Sequence, residues 1–287
     1  MNRLIVTISF QINYIFILSN FTTISEKSQN QTVMIRPYLL AETNWKHLKN
    51  ETVDLAILPW GATEAHNYHL PYATDVIEAT AIAEKAGEIA WGKGAKVMVL
   101  PTIPFGVNTG QSDIYLDMNL NPSTQFAILK DLIEVLNRQN IRKFMILNSH
   151  GGNNWKSIVR ELGLLYPNMF LCVAECFKIV DRNDFFDDPG DHADEMETSL
   201  LLHLAPKLVL PKEHWGMGAE KKNKIKAFRE GGVWTERPWS KITEDTGIGD
   251  PKLATKEKGA RFFNAVCTEM GQLFFDIAKA DTENLYE

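Results

Sequence analysis

Apolar residues in this chain recur in two alternating rhythms. Residues 53–58 form a short, mostly apolar run closed by Pro59, which predicts a strand buried on both faces. Residues 75–91 switch to helical spacing, with Val76, Ala79, Ile82, Ala83 and Ala86 recurring before Gly92 and Gly94 end the stretch. A second strand is predicted over residues 96–100, closed by Pro101. Pro122, following Asn121, opens a helix marked by Phe126, Leu129, Leu132, Ile133 and Leu136. Residues 144–147 read as a third strand, 154–165 as a helix and 169–174 as a fourth strand. Further helices are expected over 193–203, stopping before Pro206, and over 255–280.

Strands alternating with helices indicate an α/β fold with a parallel sheet and helices on both faces. Right-handed crossovers then bring every strand's carboxyl end to one edge, where such sheets hold their ligands. Residues 209–251 carry Gly, Trp and charge with little periodicity, and read as an elaborated loop that covers the site or serves contacts between subunits. No internal repeat or low-complexity linker divides the chain, so residues 34–287 are expected to form one domain. Residues 1–33 are set aside as an N-terminal extension: Arg3 and an apolar run from Tyr14 to Leu18 suggest either a signal-like segment or a start at Met34.

Composition narrows the partners. With 287 residues and 45% hydrophobic content the chain can bury a large core, and a net charge of −6 argues against binding nucleic acid through phosphates. The densest basic cluster, Lys221, Lys222, Lys224 and Lys226, is short and reads as a solvated face. The N-terminal apolar stretch falls short of the roughly 20 residues a membrane helix needs, so no membrane is expected. Cys172, Cys176 and Cys267 form no paired framework and fit buried packing in a reducing, cytoplasmic compartment.

Three segments carry chemistry. Glu64, His66 and Asp75 follow the first strand, and Glu64 and His66 face the same way if the segment stays extended. Carboxylate and imidazole together suit zinc, manganese or iron without choosing among them. Asp75 has a second reading as a helix-capping residue beside Thr74. His150 lies just past the third strand, where Gly151 and Gly152 let the backbone turn tightly. In the third segment Glu197 shares a helical stripe with Leu201 and Leu204, and a carboxylate buried there needs a partner or a metal. Asp194 and Glu195 read as solvated, and His192, in the preceding loop, is free to act as an acid or base. His69 is placed to orient a ligand, while His47, His203 and His214 read as structural or surface residues.

Together these segments resemble the creatininase (creatinine amidohydrolase) family. The resemblance rests on residues 61–75, on 148–153 (Asn-Ser-His-Gly-Gly-Asn) and on 192–199 (His-Ala-Asp-Glu-Met-Glu-Thr-Ser). Gly249, Asp250, Pro251, Ala254, Lys258 and Gly259 match a further pattern near the end. The resemblance implies a three-layer α/β/α sandwich with a mostly parallel central sheet and two neighbouring divalent metals. Zinc is the first expectation, with manganese or iron as alternatives. By matching position, Glu64, His66, Asp75 and His150 would be metal ligands, with Asp75 bridging. Creatininase takes a further ligand from a glutamate at the position of Gly152, and the vacancy is assigned to Glu197.

The same resemblance implies a metal-dependent hydrolase that opens a non-peptide C–N bond in a small cyclic amide by a metal-bound hydroxide. His192 would shuttle the proton to the leaving nitrogen, and Glu64 joins it as a catalytic residue. Gly151, and Asn67 with Tyr68, stand where the creatinine enzyme has other residues, so the machinery transfers better than the substrate. Alternatives are cleavage of a C–C bond in a cyclic polyol ketone, deformylation of a formamide, and a non-catalytic metal-stabilised subunit or maturation partner. Family resemblance also implies a homo-oligomer, a hexamer.

Overall fold

Alternate side chains of the central strands feed two separate cores, and this sets the layering. In the computed structural model, which describes residues 35–287, four strands are present: β1 (Leu55–Trp60), β2 (Val97–Val99), β3 (Lys143–Asn148) and β4 (Phe170–Glu175). Leu55 and Ile57 of β1, with Met145 and Leu147 of β3, enter one apolar cluster. Their neighbours Ala56, Leu58, Trp60, Phe144 and Ile146 enter the other. A period of two with both faces covered is what a parallel sheet requires. The strands pair in parallel in the order β2-β1-β3-β4.

The helices are a short α1 (Trp45–Leu48), α2 (Thr74–Gly92), α3 (Pro122–Arg138), α4 (Trp155–Leu165), α5 (Glu195–Leu204), the short α6 (Lys226–Arg229) and α7 (Trp239–Ile242), and α8 (Lys256–Lys279). Helices α2, α5 and α8 supply Ile82, Leu200 and Phe262 to the first core. Helices α3 and α4 supply Leu129, Ile133 and Ile158 to the second. The result is the expected three-layer α/β/α arrangement. The extension expected over residues 1–33 lies outside the described residues. No described helix is long and apolar enough to cross a membrane.

Every strand and long helix falls close to its expected place, with one instructive shift. β1 runs on through Pro59, which the sequence reading took as its end. Proline is tolerated in this inner strand because β2 has already stopped at that register. The Pro59 carbonyl accepts from Ile103 N–H at 3.0 Å on that side, so the missing N–H faces the departing chain rather than a ladder partner. All four strands point the same way. Their exits, near residues 61, 100, 149 and 176, therefore share one edge.

The layering makes a stability prediction. Ile57→Ala, at a fully buried position, is expected to cost about 2–5 kcal/mol of unfolding free energy. Leu164→Ala, 84% exposed, is expected to cost less than about 0.5 kcal/mol. Denaturant unfolding of both variants checks the pair. Similar losses would show that the buried face is misassigned.

Candidate metal centre

The exit of β1 is forced close to the start of α2. A Cβ on Gly61 would lie 2.7 Å from Val76 N and 2.8 Å from the Asp75 carbonyl carbon, so only glycine lets the helix start sit against the strand. Ser149, leaving β3, donates its hydroxyl to the Asp75 carbonyl at 2.8 Å. These contacts fix Asp75 beneath both strand ends. The helix starts at Thr74 with no side-chain cap, so Asp75 does not play the capping role considered for it and turns its carboxylate into the cluster.

Six of the singled-out residues converge there, all buried. His66 Nε2 lies 3.2 Å from Asp75 Oδ1, 3.8 Å from Glu64 Oε1 and 3.9 Å from Glu197 Oε2. His150 Nδ1 lies 2.9 Å from Glu64 Oε1 and 3.1 Å from Asp75 Oδ2. His192 Nδ1 lies 3.8 Å from Glu64 Oε1. The ligand atoms fall into sets that could each hold a cation: Glu64, Asp75 and His150; His66, Asp75 and Glu197; and Glu64, His66 and His192. Asp75 belongs to the first two, with one oxygen turned to each.

Each imidazole spends its other nitrogen on a main-chain carbonyl. His66 Nδ1 donates to Glu64 O at 3.0 Å, His150 Nε2 to Val107 O at 3.0 Å, and His192 Nε2 to Ala65 O at 2.8 Å. The nitrogens facing the carboxylates are therefore the ones that can give up a proton and offer a lone pair, the arrangement that metal-ligating histidines adopt. Glu64 Oε1 and Asp75 Oδ2 are buried with no hydrogen-bond donor, though each lies close to His150 Nδ1. Orphaned carboxylate oxygens opposite imidazole nitrogens are a donor set suited to cations, and the residues fit a divalent metal pair.

Electrostatics say the same. With no cation present, burial would lower His66, but Asp75, Glu197 and Glu64 outweigh it and lift it to about 10. Burial, joined by Asp194 and Asp75, pushes Glu197 up to about 8. Burial would raise Glu64, but the charges of His150 and His192 bring it below the usual carboxylate range. Burial and then the charge on His66 lower His192. His192, expected to be free to act as an acid or base, is buried and tethered at one nitrogen, which leaves the other to do so.

Two expectations fail. Asp194 and Glu195, read as solvated, are buried. Asp194 caps α5, accepting from Met196 N at 2.9 Å and Glu197 N at 3.0 Å. Glu195 accepts from the Asp187 and Asp188 amides and pairs with Lys258. A polar helix start folded under a loop satisfies its carboxylates locally, and sequence spacing does not reveal the loop. Ala193, just before the cap, sits at φ 50°, a conformation disfavoured for alanine, with its N–H on Glu197 Oε2. His69 bonds Thr198 Oγ1 at 2.9 Å, beside Glu197, and stacks on Trp215. His47 and His214 are exposed, and His203 packs against Phe263.

The exit of β2 supplies residues that sequence reasoning passed over. Gln111 donates to Glu64 Oε2, Asp117 accepts from Ala65 N at 2.7 Å, and Val107 supplies the carbonyl that holds His150. Burial lifts Asp117 to about 7. The usable signal was their position after a predicted strand, at the same sheet edge. Trp234 to Arg237 and Trp239 of the long loop, expected to cover the site or serve subunit contacts, line the cleft. Trp239 meets His192 edge to face at 4.8 Å between ring centres.

The profile of the family described as creatinine amidohydrolase matches residues 41–274. The mycofactocin precursor peptide peptidase of Mycobacterium tuberculosis is 29% identical over 224 residues, covering 73% of this chain and 80% of the relative. A crystal structure from Bacteroides fragilis assigned as a creatinine amidohydrolase is 38% identical with a TM-score of 0.82. That match covers 88% of this chain and 100% of the other. Creatininase structures described as Zn-Zn type and as Mn share the fold at 19% identity and a TM-score of 0.69, covering 85% of this chain and 100% of theirs.

Two outcomes test the centre. His66 and Glu197 hold protons at pH 7 that an incoming cation must displace, so affinity for zinc is expected to rise with pH, by at least about tenfold per unit below pH 8. Calorimetric titration at several pH values checks the sign, and a flat or falling profile would contradict it. Gly152→Glu is expected to weaken zinc binding rather than add a ligand. Its Cβ would lie 2.4 Å from both His150 Nε2 and Val107 O, breaking the contact that aims His150.

Proposed function

The chain belongs to the creatininase family of metal-dependent amidohydrolases, and from that premise we propose that its cleft hydrolyses a C–N amide bond. The observation that carries this reading is the triple tether. Three imidazoles are each anchored through one nitrogen to a main-chain carbonyl and present the other to carboxylates with orphaned oxygens. Glu64, Asp75 and His150 would hold one divalent ion, and His66, Asp75 and Glu197 the other. Zinc and manganese both suit this mixed nitrogen and oxygen donor set. A bound pair of this kind makes water nucleophilic near neutral pH and polarises the carbonyl under attack.

The chain's own residues supply the rest. In the net reaction water adds across the bond, OH to the acyl carbon and H to the departing nitrogen. His192 is the residue placed to carry that proton. Its Nε2 is committed to Ala65 O, so Nδ1 faces the cleft as the atom that takes the proton and returns it to the leaving nitrogen. Trp239 packs against its ring and holds that orientation, while Gln111 fixes Glu64.

The small cyclic amide expected from the sequence is one substrate of this class. A second reading, a peptide, draws on the name of the mycobacterial relatives and on the cleft itself. Its cavity of about 620 Å³ is in the range that encloses drug-sized molecules.

Elemental analysis of the purified chain is expected to find two divalent metals, a count that falls in Glu64→Ala. His192→Ala is expected to keep its metals and lose about 10²–10⁴-fold in kcat on any amide the wild type turns over. Full turnover by His192→Ala would remove the proton-carrying role. A metal-loaded wild type inert toward cyclic amides, formamides, cyclic polyol ketones and peptide anilides would favour a non-catalytic subunit.

A further inference from the structure

The cleft does not end at the metal centre. A second cavity of about 650 Å³ adjoins it, and the two share Asn153, Asn154, Lys156, Glu175 and Lys178. This groove runs beside β4, between the two helical layers. Val159 of α4 and Leu273 of α8 line it together with Val173 and Ala174 of the strand.

β4 is the edge of the sheet. Phe170 N–H bonds back to Arg142 O at 2.8 Å, so the alternation of a parallel ladder turns the peptide groups of Leu171, Val173 and Glu175 outward. At the opposite edge, Val99 of β2 donates to Tyr38 O at 2.8 Å, so that edge is partly covered. Among the described residues no segment pairs with the outer side of β4. An unpaired edge is a template for another extended chain, and proteins generally cover or blunt theirs. Here the edge opens into a cavity continuous with the metal centre.

The groove also has a sign. Lys156 and Arg160 project from successive turns of α4, exposed and without an ion-pair partner among the described residues. Lys178 is paired with Glu175, which leaves the two helix cations to face whatever enters.

We propose that this groove binds the non-reacting part of an extended, acidic peptide substrate as an added strand on β4. Main-chain hydrogen bonds to the outward groups of residues 171–175 would set its path, and at about 3.3 Å per residue they order about five residues. Side chains of alternate residues would turn to opposite layers, apolar ones toward Leu273 of α8 and acidic ones toward Lys156 and Arg160 of α4. The proposal rests on the amidohydrolase reading of the adjoining centre and names its substrate class.

The test uses the zinc-loaded chain and an alternating probe, acetyl-Glu-Val-Glu-Val-Gly p-nitroanilide, with a Lys-for-Glu probe and acetyl-Gly p-nitroanilide as comparisons. Hydrogen exchange followed by mass spectrometry is expected to show the outward β4 amides open in the free chain and protected by the acidic probe. The Lys probe is expected to bind at least tenfold more weakly. The double variant Lys156→Glu, Arg160→Glu is expected to reverse that preference. It should also lower kcat/KM for the acidic probe at least tenfold more than for acetyl-Gly p-nitroanilide. Strand amides already protected in the free chain, no added protection, or equal binding of the two charged probes would overturn the groove. So would a kcat/KM that ignores substrate length. Protection of β4 with no anilide cleaved would instead sink the hydrolase reading and leave the groove standing.

Discussion

A buried imidazole has two nitrogens to satisfy, and at this sheet edge the main chain satisfies only one of each pair. The carbonyls of Glu64, Ala65 and Val107 each take an N–H from His66, His192 and His150. That choice fixes all three tautomers and leaves three lone pairs directed at Glu64, Asp75 and Glu197. Three buried carboxylates facing imidazole lone pairs repel one another, and the cost of removing each ion from water is several kcal/mol. Two responses relieve the strain. The cluster binds protons, which is why His66 and Glu197 are lifted to about 10 and about 8, or it binds cations of higher charge. A divalent pair would carry four positive charges against three negative ones and would leave the centre electrophilic, as polarising a carbonyl requires.

Much of this was legible in the chain because parallel sheets make strand ends converge. The alternation of runs placed four strands and five long helices, and the histidines after the first and third strands had to meet once those strands were neighbours. What could not be read was what lies over the edge. Asp194 and Glu195 carry the spacing of a solvated helix start, yet a cap and the Asp187–Asp188 amides bury them. Gln111 and Asp117 sit in a stretch without periodicity, where side-chain direction depends on a loop path that no local rule fixes. Pro59 misled for a related reason. Its effect depends on which neighbour is present at that register, and β2 stops just short of it.

Glu197 reaches the cluster from a different element than the other carboxylates. Gly152 cannot be a carboxylate here because its Cβ would occupy the space in which His150 meets Val107. A carboxylate does arrive from the first turn of α5, whose cap, Asp194, and strained Ala193 aim Glu197 at His66. A ligand position is set by where an oxygen arrives rather than by which loop delivers it. The electrostatic demand of His66 and Asp75 can therefore be met from a different layer of the same sandwich.

The same reasoning separates reaction from selection. A centre that recognises a carbonyl oxygen and a departing nitrogen is indifferent to what lies several bonds away. The residues that make it come from the exits of β1 and β3 and the start of α5. Size and charge must be read by other surfaces. The cleft has two, the strap of residues 234–239 over His192 and the open side of β4 beyond Glu175. The strap touches the reacting end, where Trp239 restricts the imidazole. The β4 edge lies further out; its side chains pack into both cores, Ala174 into one and Val173 against the other, while its outward peptide groups and the α4 cations Lys156 and Arg160 do not. Substitutions at the exposed Lys156 and Arg160 would alter what such a groove holds without touching the cores or the metal-facing residues, and substrate identity is better sought there than at the ligands.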